Sequence, residues 1–208
     1  MPSDLVISFL TLRKLIGLFG LILPIMLLVG PCLVSSMHFQ PSISDYYYTE
    51  MRDYFVGNMF VIGVFLTAYR GHDSDHVLMV IAGLSAICVA LFPCGEGGIT
   101  AVSIVHFISA GSFFGMVGYI SAFVFTKSGQ LGSLTKKKNV RNVWFRVCGF
   151  TIFALLAILG ACILLIRKYN FPLNDYLVIF ILESLAVWCF SLSWLIKGQA
   201  ILQDEKLT

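Results

Sequence analysis

The feature that most restricts this chain is a succession of long stretches almost free of ionisable side chains. The stretches Leu15 to Val34, Tyr54 to Tyr69, Val77 to Pro93, Ile99 to Phe125, Val147 to Ile166 and Tyr176 to Ile196 hold no Asp, Lys or Arg and only one Glu, Glu183. A bilayer core of about 30 Å takes roughly 20 apolar residues of helix, and a segment in lipid must satisfy its own backbone hydrogen bonds. The pattern therefore predicts an all-α integral membrane bundle of six transmembrane helices, one domain over 1–208. Tyr54 to Tyr69 is short for a span, but Arg52 and Arg70 can snorkel from its ends. Composition agrees: 58% hydrophobic and 12% charged residues, with a mean hydropathy of +0.89 over 208 residues, exclude a soluble enzyme, a nucleic-acid binder and a disordered chain.

Orientation follows from the basic residues. Arg13, Lys14, Arg70, Lys127, Lys136, Lys137, Lys138, Arg141, Arg146, Lys197 and Lys206 fall on one side of the alternating spans, and Arg52, Arg167 and Lys168 on the other. The richer side is the cytoplasmic one, so both termini are predicted to be cytoplasmic, with connections 36–53, 94–98 and 167–175 outside. The first stretch is too long for the apolar core of a secretory signal and is expected to stay attached. In the longest inner loop, Lys127 to Asn142, the Lys136-Lys137-Lys138-Asn139-Val140-Arg141 cluster reads as a topology anchor, with contact to anionic lipid headgroups as the sharper alternative.

Helices in lipid associate through small residues and a few polar contacts. Gly111 with Gly115, and Ala82 with Ala86 and Ala90, supply such stripes, and Pro24 interrupts the first span. The six cysteines show no zinc-site spacing. Cys32 and Cys94 lie at the outer ends of spans, where an oxidising compartment would permit a disulfide.

Strongly polar residues inside a span are costly and default to functional hypotheses. Asn58, His106 and Glu183 each lie a few residues inside a span that enters from outside, roughly 8 to 12 Å down at 1.5 Å per residue. They form one layer beneath the outer loop bearing Ser44, Asp45, Arg52 and Asp53. These seven residues are the candidates for a polar pocket open to the outer leaflet. His106 and Glu183 are expected to pair, sharing a proton or forming an ion pair, as acid and base sites do. A structural hydrogen bond would look the same. The histidines are too few for a catalytic zinc site, and no metal or cofactor is predicted. His72, Asp73, Asp75 and His76 form a metal-like cluster, with His72 and His76 at i and i+4 if helical, but read first as a helix start capped by Asp73 or Ser74 with the histidines at the interface. Tyr46, Tyr47 and Tyr48 read as an interfacial aromatic belt or the floor of a ligand entrance, after a Ser42-Ile43-Ser44-Asp45 turn.

At these residues the chain resembles a family of uncharacterised bacterial multipass membrane proteins that carry a domain of unknown function. The resemblance rests on Pro41-Ser42-Ile43-Ser44-Asp45-Tyr46-Tyr47-Tyr48-Thr49, Arg52-Asp53-Tyr54-Phe55-Val56-Gly57, Tyr69-Arg70-Gly71, Ala90-Leu91-Phe92-Pro93 and His106. The Ile-Ser-Asp element is also similar to the DRAM and FRAG-like six-helix membrane proteins, which implies a connection with lipids. The resemblance implies a bacterial inner-membrane protein and supplies no reaction. Three readings stay open. One is a protein that binds a membrane lipid or small amphiphile in the outer-leaflet pocket. The second is a membrane-embedded lipid hydrolase or transferase using His106 and Glu183, for which the sequence identifies no nucleophile. The third is a proton-coupled transporter, which without an internal repeat would need a homo-oligomer.

Overall fold

The computed structural model describes residues 8–33, 37–70, 75–95, 100–127, 136–169 and 177–202, leaving aside the side chains at 136 and 167–169. Its long helices are α1 (Phe9–Leu33), α2 (Arg52–Ala68), α3 (His76–Leu91), α4 (Ala101–Tyr119), α5 (Lys136–Tyr169) and α6 (Val178–Lys197), with a 3-10 turn at Ser44–Tyr48 and a π-helical continuation of α4 at Ile120–Val124. The described residues contain no strand. Phe9–Leu33, Ala101–Val124, Lys137–Ile166 and Val178–Lys197 are long and apolar enough to cross a membrane, and His76–Leu91 is a shorter apolar helix. The outer surface carries apolar side chains more than half exposed, among them Val77, Ile108, Val143 and Leu164, a covering suited to lipid rather than water.

Each helix packs on its sequence neighbours, α6 returns to α1, and α4 touches α6 across the ring. Phe113, Phe190, Trp194 and Phe125 stack edge to face through the middle at 5.2 to 6.2 Å between ring centres. The expected Ala82, Ala86 and Ala90 stripe is fully buried. The expected Gly111 and Gly115 contact is not made: a Cβ at either would meet nothing within 4 Å. Close approach occurs instead where Gly63 of α2 faces Gly83 of α3 and Gly118 of α4 faces Gly149 of α5, each pair setting backbone against backbone.

Pro24 and Pro31 sit within α1 without ending it. Pro24 has no N–H to offer the preceding turn, and carbonyls around that turn take side-chain donors from neighbouring helices. Phe19 accepts from Asn58 Nδ2 at 3.3 Å, Leu21 from Trp188 Nε1 at 3.2 Å and Ile22 from the Tyr54 hydroxyl at 3.2 Å. The helices also run further than the charge-free stretches. α1 begins at Phe9 and includes Arg13 and Lys14, and α5 begins at Lys136, so the basic cluster forms helix rather than loop. The N-cap of α3 is Asp75, whose carboxylate meets Lys127 at 2.6 Å instead of capping the helix. The alternatives Asp73 and Ser74, together with His72, lie outside the described residues. Cys32 is exposed, Cys94 is buried, and both are free thiols.

Candidate functional site

The site is built on the short segment between α1 and α2. Ser42 and Asp45 close a reciprocal turn: the Ser42 hydroxyl donates to Asp45 Oδ2 at 2.7 Å and accepts from the Asp45 N–H at 3.1 Å. That pairing starts the 3-10 turn, which buries Tyr46 against Phe180 and leaves Tyr48 exposed. Burial pushes the Tyr46 phenol above its ordinary pKa. Two bonds fasten the segment to the start of α6, where helical N–H groups lack internal partners. The Phe180 N–H reaches the Pro41 carbonyl at 2.8 Å, and Glu183 Oε2 accepts the Ile43 N–H at 2.7 Å.

His106 fastens the next residue. A Thr100 and Ser103 capping box starts α4 and sets His106 on its buried face, 2% exposed. Its Nδ1 lies 2.7 Å from the Phe92 carbonyl and its Nε2 lies 3.0 Å from Ser44 Oγ. A carbonyl only accepts, so Nδ1 carries the proton; in the neutral ring Nε2 is then an acceptor and the Ser44 hydroxyl donates to it. The expected direct pairing of His106 with Glu183 is not formed, because each is taken up by the loop, Glu183 at Ile43 and His106 at Ser44.

The end of α3 completes the cluster. Phe92 follows the last helical residue, and Pro93 after it brings no N–H to continue the ladder. The orphan carbonyls of Val89 and Phe92 both face the His106 ring. Two residues on, the Cys94 thiol donates to Asp45 Oδ1 at 3.2 Å, and the Gly95 N–H donates to the Tyr48 hydroxyl at 3.0 Å. Burial and the adjacent Asp45 carboxylate push the Cys94 thiol far above its ordinary range, so it remains protonated at neutral pH.

Of the seven candidates, Ser44, Asp45, His106 and Glu183 come together around residues 42–45. Arg52 and Asp53 are exposed in the first turn of α2, where Arg52 stacks on the Tyr47 ring at 4.4 Å and donates to its hydroxyl at 2.8 Å. Asn58 is buried between α1 and α2, bonded to Phe19, with its Oδ1 unpartnered. Among the described residues no three His, Cys, Asp or Glu side chains gather as metal ligands.

The sequence reading takes Ser42 only as part of a turn and Cys94 only as a disulfide candidate, and it passes over the Phe92 carbonyl. The Phe92-Pro93 step carried a signal for the last, since a helix stopped by proline leaves acceptors that a nearby histidine can use. Chemically, the arrangement is a serine hydroxyl aimed at a histidine whose other nitrogen is fixed. Ser44 is half-buried and His106 is buried. No protein-family model, no curated protein and no solved structure matches the chain.

Proposed function

We propose that this chain is a six-span cell-membrane protein with both termini cytoplasmic, and that its outer end is a hydrolase or transferase site for an ester-bearing lipid or similar amphiphile. The observation that carries the reading is the Phe92 carbonyl, His106 and Ser44 relay, at 2.7 and 3.0 Å. It has the logic of a nucleophile, a general base and a group that orients the base, here a backbone carbonyl. Ser44 Oγ attacks the ester carbonyl carbon as its proton passes to His106 Nε2. The imidazolium then returns that proton to the departing alkoxide, leaving acyl-Ser44. Water or an acceptor hydroxyl releases the acyl group, with His106 again taking and returning a proton. Asp45 orders the same loop through Ser42 and the Cys94 thiol, and Glu183 holds the backbone of the nucleophile's neighbour Ile43.

The topology rests on two supports. Arg13, Arg70, Lys127, Lys138, Arg141 and Lys197 gather at the end of the bundle away from Ser44, in keeping with a cytoplasmic face. α2 and α3, at 17 and 16 residues, are about 24 to 26 Å long, short spans of the kind that local bilayer thinning accommodates.

A second reading, a noncatalytic lipid binder, is favoured by Asp45 and Glu183 both being engaged within the chain. A fluorophosphonate probe separates the two, since it forms a covalent bond only with an activated serine. The expected result is labelling of the purified wild type at Ser44, abolished in Ser44→Ala and strongly reduced in folded His106→Ala. Absence of labelling in folded wild type, or equal labelling of Ser44→Ala, refutes the enzyme reading and leaves the binder.

A further inference from the structure

The contact between α5 and α6 carries a chemistry that the Ser44 site does not use. On α5, Phe145, Cys148, Ile152, Leu155 and Leu159 recur at intervals of three and four residues and all are buried, the stripe by which this helix packs on the bundle. On α6, Ala186, Ser193 and Ile196 are buried at the same spacing around Cys189, which is half-buried. Both stripes therefore place a thiol on the face turned toward a neighbouring helix.

Two further contacts bring the cysteines to one region. Gly149, next to Cys148, stands against Ala122 of the π-helical segment. Ser121, next to Ala122, donates to the Ser193 hydroxyl at 2.8 Å, and Ser193 lies one turn beyond Cys189 on α6. Cys148 and Cys189 meet beside this junction, their thiols hydrogen-bonded to each other across the packed helices. Both are free thiols. Cys148 belongs to the charge-free stretch Val147 to Ile166 and Cys189 to Tyr176 to Ile196, so the pair sits among apolar side chains.

Two thiols in contact can hold a soft metal ion or be oxidised. Ligation requires thiolates, and two thiolates on a monovalent ion would leave a net negative charge where charge is expensive. A disulfide is neutral, and its formation needs the sulfurs to meet, as these do. The oxidant must also reach sulfurs held within an apolar layer. Leu185, one turn before Cys189, is exposed on the outer surface of α6, which gives an apolar molecule an approach to the half-buried thiol from the lipid.

We propose that Cys148 and Cys189 are a redox-active dithiol, oxidised reversibly to a disulfide between α5 and α6 with a lipid-soluble quinone as the electron acceptor. Both S–H bonds break and one S–S bond forms; two electrons and two protons pass to the quinone, which leaves as the quinol. A dithiol reductant restores the pair by exchange. The proposal stands apart from the Ser44 chemistry and does not depend on it.

The test uses the full chain in detergent, reduced and then freed of reductant. The probe is a fully ring-substituted benzoquinone with a decyl tail, which offers no free ring carbon for a thiol to add to. Remaining thiols are then capped with N-ethylmaleimide in denaturant, and the peptides are mapped by mass spectrometry. The expected result is a fall from six reactive thiols to four, one quinol formed per chain, and a Cys148–Cys189 linked peptide that dithiothreitol reopens. Cys148→Ser and Cys189→Ser are each expected to abolish quinol formation, whereas Cys162→Ser, at another α5 cysteine, is expected still to lose two thiols. Retention of all six thiols by the folded wild type, linkage of either cysteine to a different one, or quinol formation that persists in both folded serine variants overturns the proposal. If a serine variant does not fold, the wild-type peptide map decides by the first two criteria.

Discussion

Replacing His106 by alanine and Ser44 by alanine removes the same hydrogen bond from opposite ends, and the structure predicts unequal consequences for stability. His106 is buried and bonds at both ring nitrogens. His106→Ala loses two neutral bonds worth about 1 kcal/mol each and leaves the Phe92 carbonyl short of its donor, a further cost of about 1 to 3 kcal/mol. Water can relieve part of that cost at the half-buried Phe92, so the total is about 2 to 4 kcal/mol. Ser44→Ala loses only one of those bonds. Ser44 is only half-buried, so if water takes the place of its hydroxyl at Nε2, as access for a reactant requires, the loss is about 1 kcal/mol. For a domain of this length, 1 kcal/mol moves the midpoint by about 2 to 4 °C. The midpoint of thermal unfolding of the purified protein should therefore fall by roughly 4 to 16 °C for His106→Ala and by about 2 to 4 °C for Ser44→Ala, while fluorophosphonate labelling is abolished in Ser44→Ala and strongly reduced in His106→Ala. A Ser44→Ala loss as large as that of His106→Ala would show that the hydroxyl is a buried anchor unreachable by water, and the argument for a reactant's access to it would fail.

Two further predictions rest on packing and charge. In variants retaining one cysteine each, maleimide should modify exposed Cys32 readily and Cys94 slowly at pH 7 to 8. Since the Cys94 pKa is raised, its thiolate is scarce at that pH and its rate should still be climbing past pH 9; Asp45→Asn, which removes the adjacent charge, should speed its modification, and an unchanged rate would refute the assigned contact. Gly83→Val should destabilise by about 1 to 3 kcal/mol through collision with the Gly63 backbone, whereas Gly111→Ala and Gly115→Ala should be neutral or stabilising by about 0.5 to 1 kcal/mol, and thermal unfolding that ranks them the other way would restore the stripe expected from sequence.

The helical architecture was legible because charge-free length is a strong signal in lipid, where backbone hydrogen bonding leaves few alternatives. The ends of helices were less legible. Arg13, Lys14 and Lys136 through Arg141 were assigned to connections because charge marks the edge of an apolar stretch, yet helices continue past that edge wherever they can carry polar side chains in water. Glycine spacing also misled at Gly111 and Gly115, since small residues at i and i+4 show that a close approach is permitted and not that a neighbour occupies that face. Gly63, Gly83, Gly118 and Gly149 have no i, i+4 glycine partner, and their meetings across helix pairs exist only in three dimensions.

The same distinction separates the candidate site from its look-alikes. Asn58, His106 and Glu183 lie six, five and five residues into their helices, and that common depth suggested a common pocket. Depth fixes one coordinate, and direction around the helix fixes another. Asn58 points toward α1, where its Nδ2 donates to the Phe19 carbonyl. His106 and Glu183 point toward residues 43 and 44, so two groups that do not touch each other hold adjacent residues of one loop. A loop pinned at consecutive positions loses little further freedom when a reactant arrives, which is the condition under which a lone serine and histidine are useful to catalysis. It also explains why Ser44 is legible in the sequence as a pocket candidate but not as a partner of His106: which hydroxyl of the loop faces the histidine is fixed only once α4 and α6 hold residues 43 and 44.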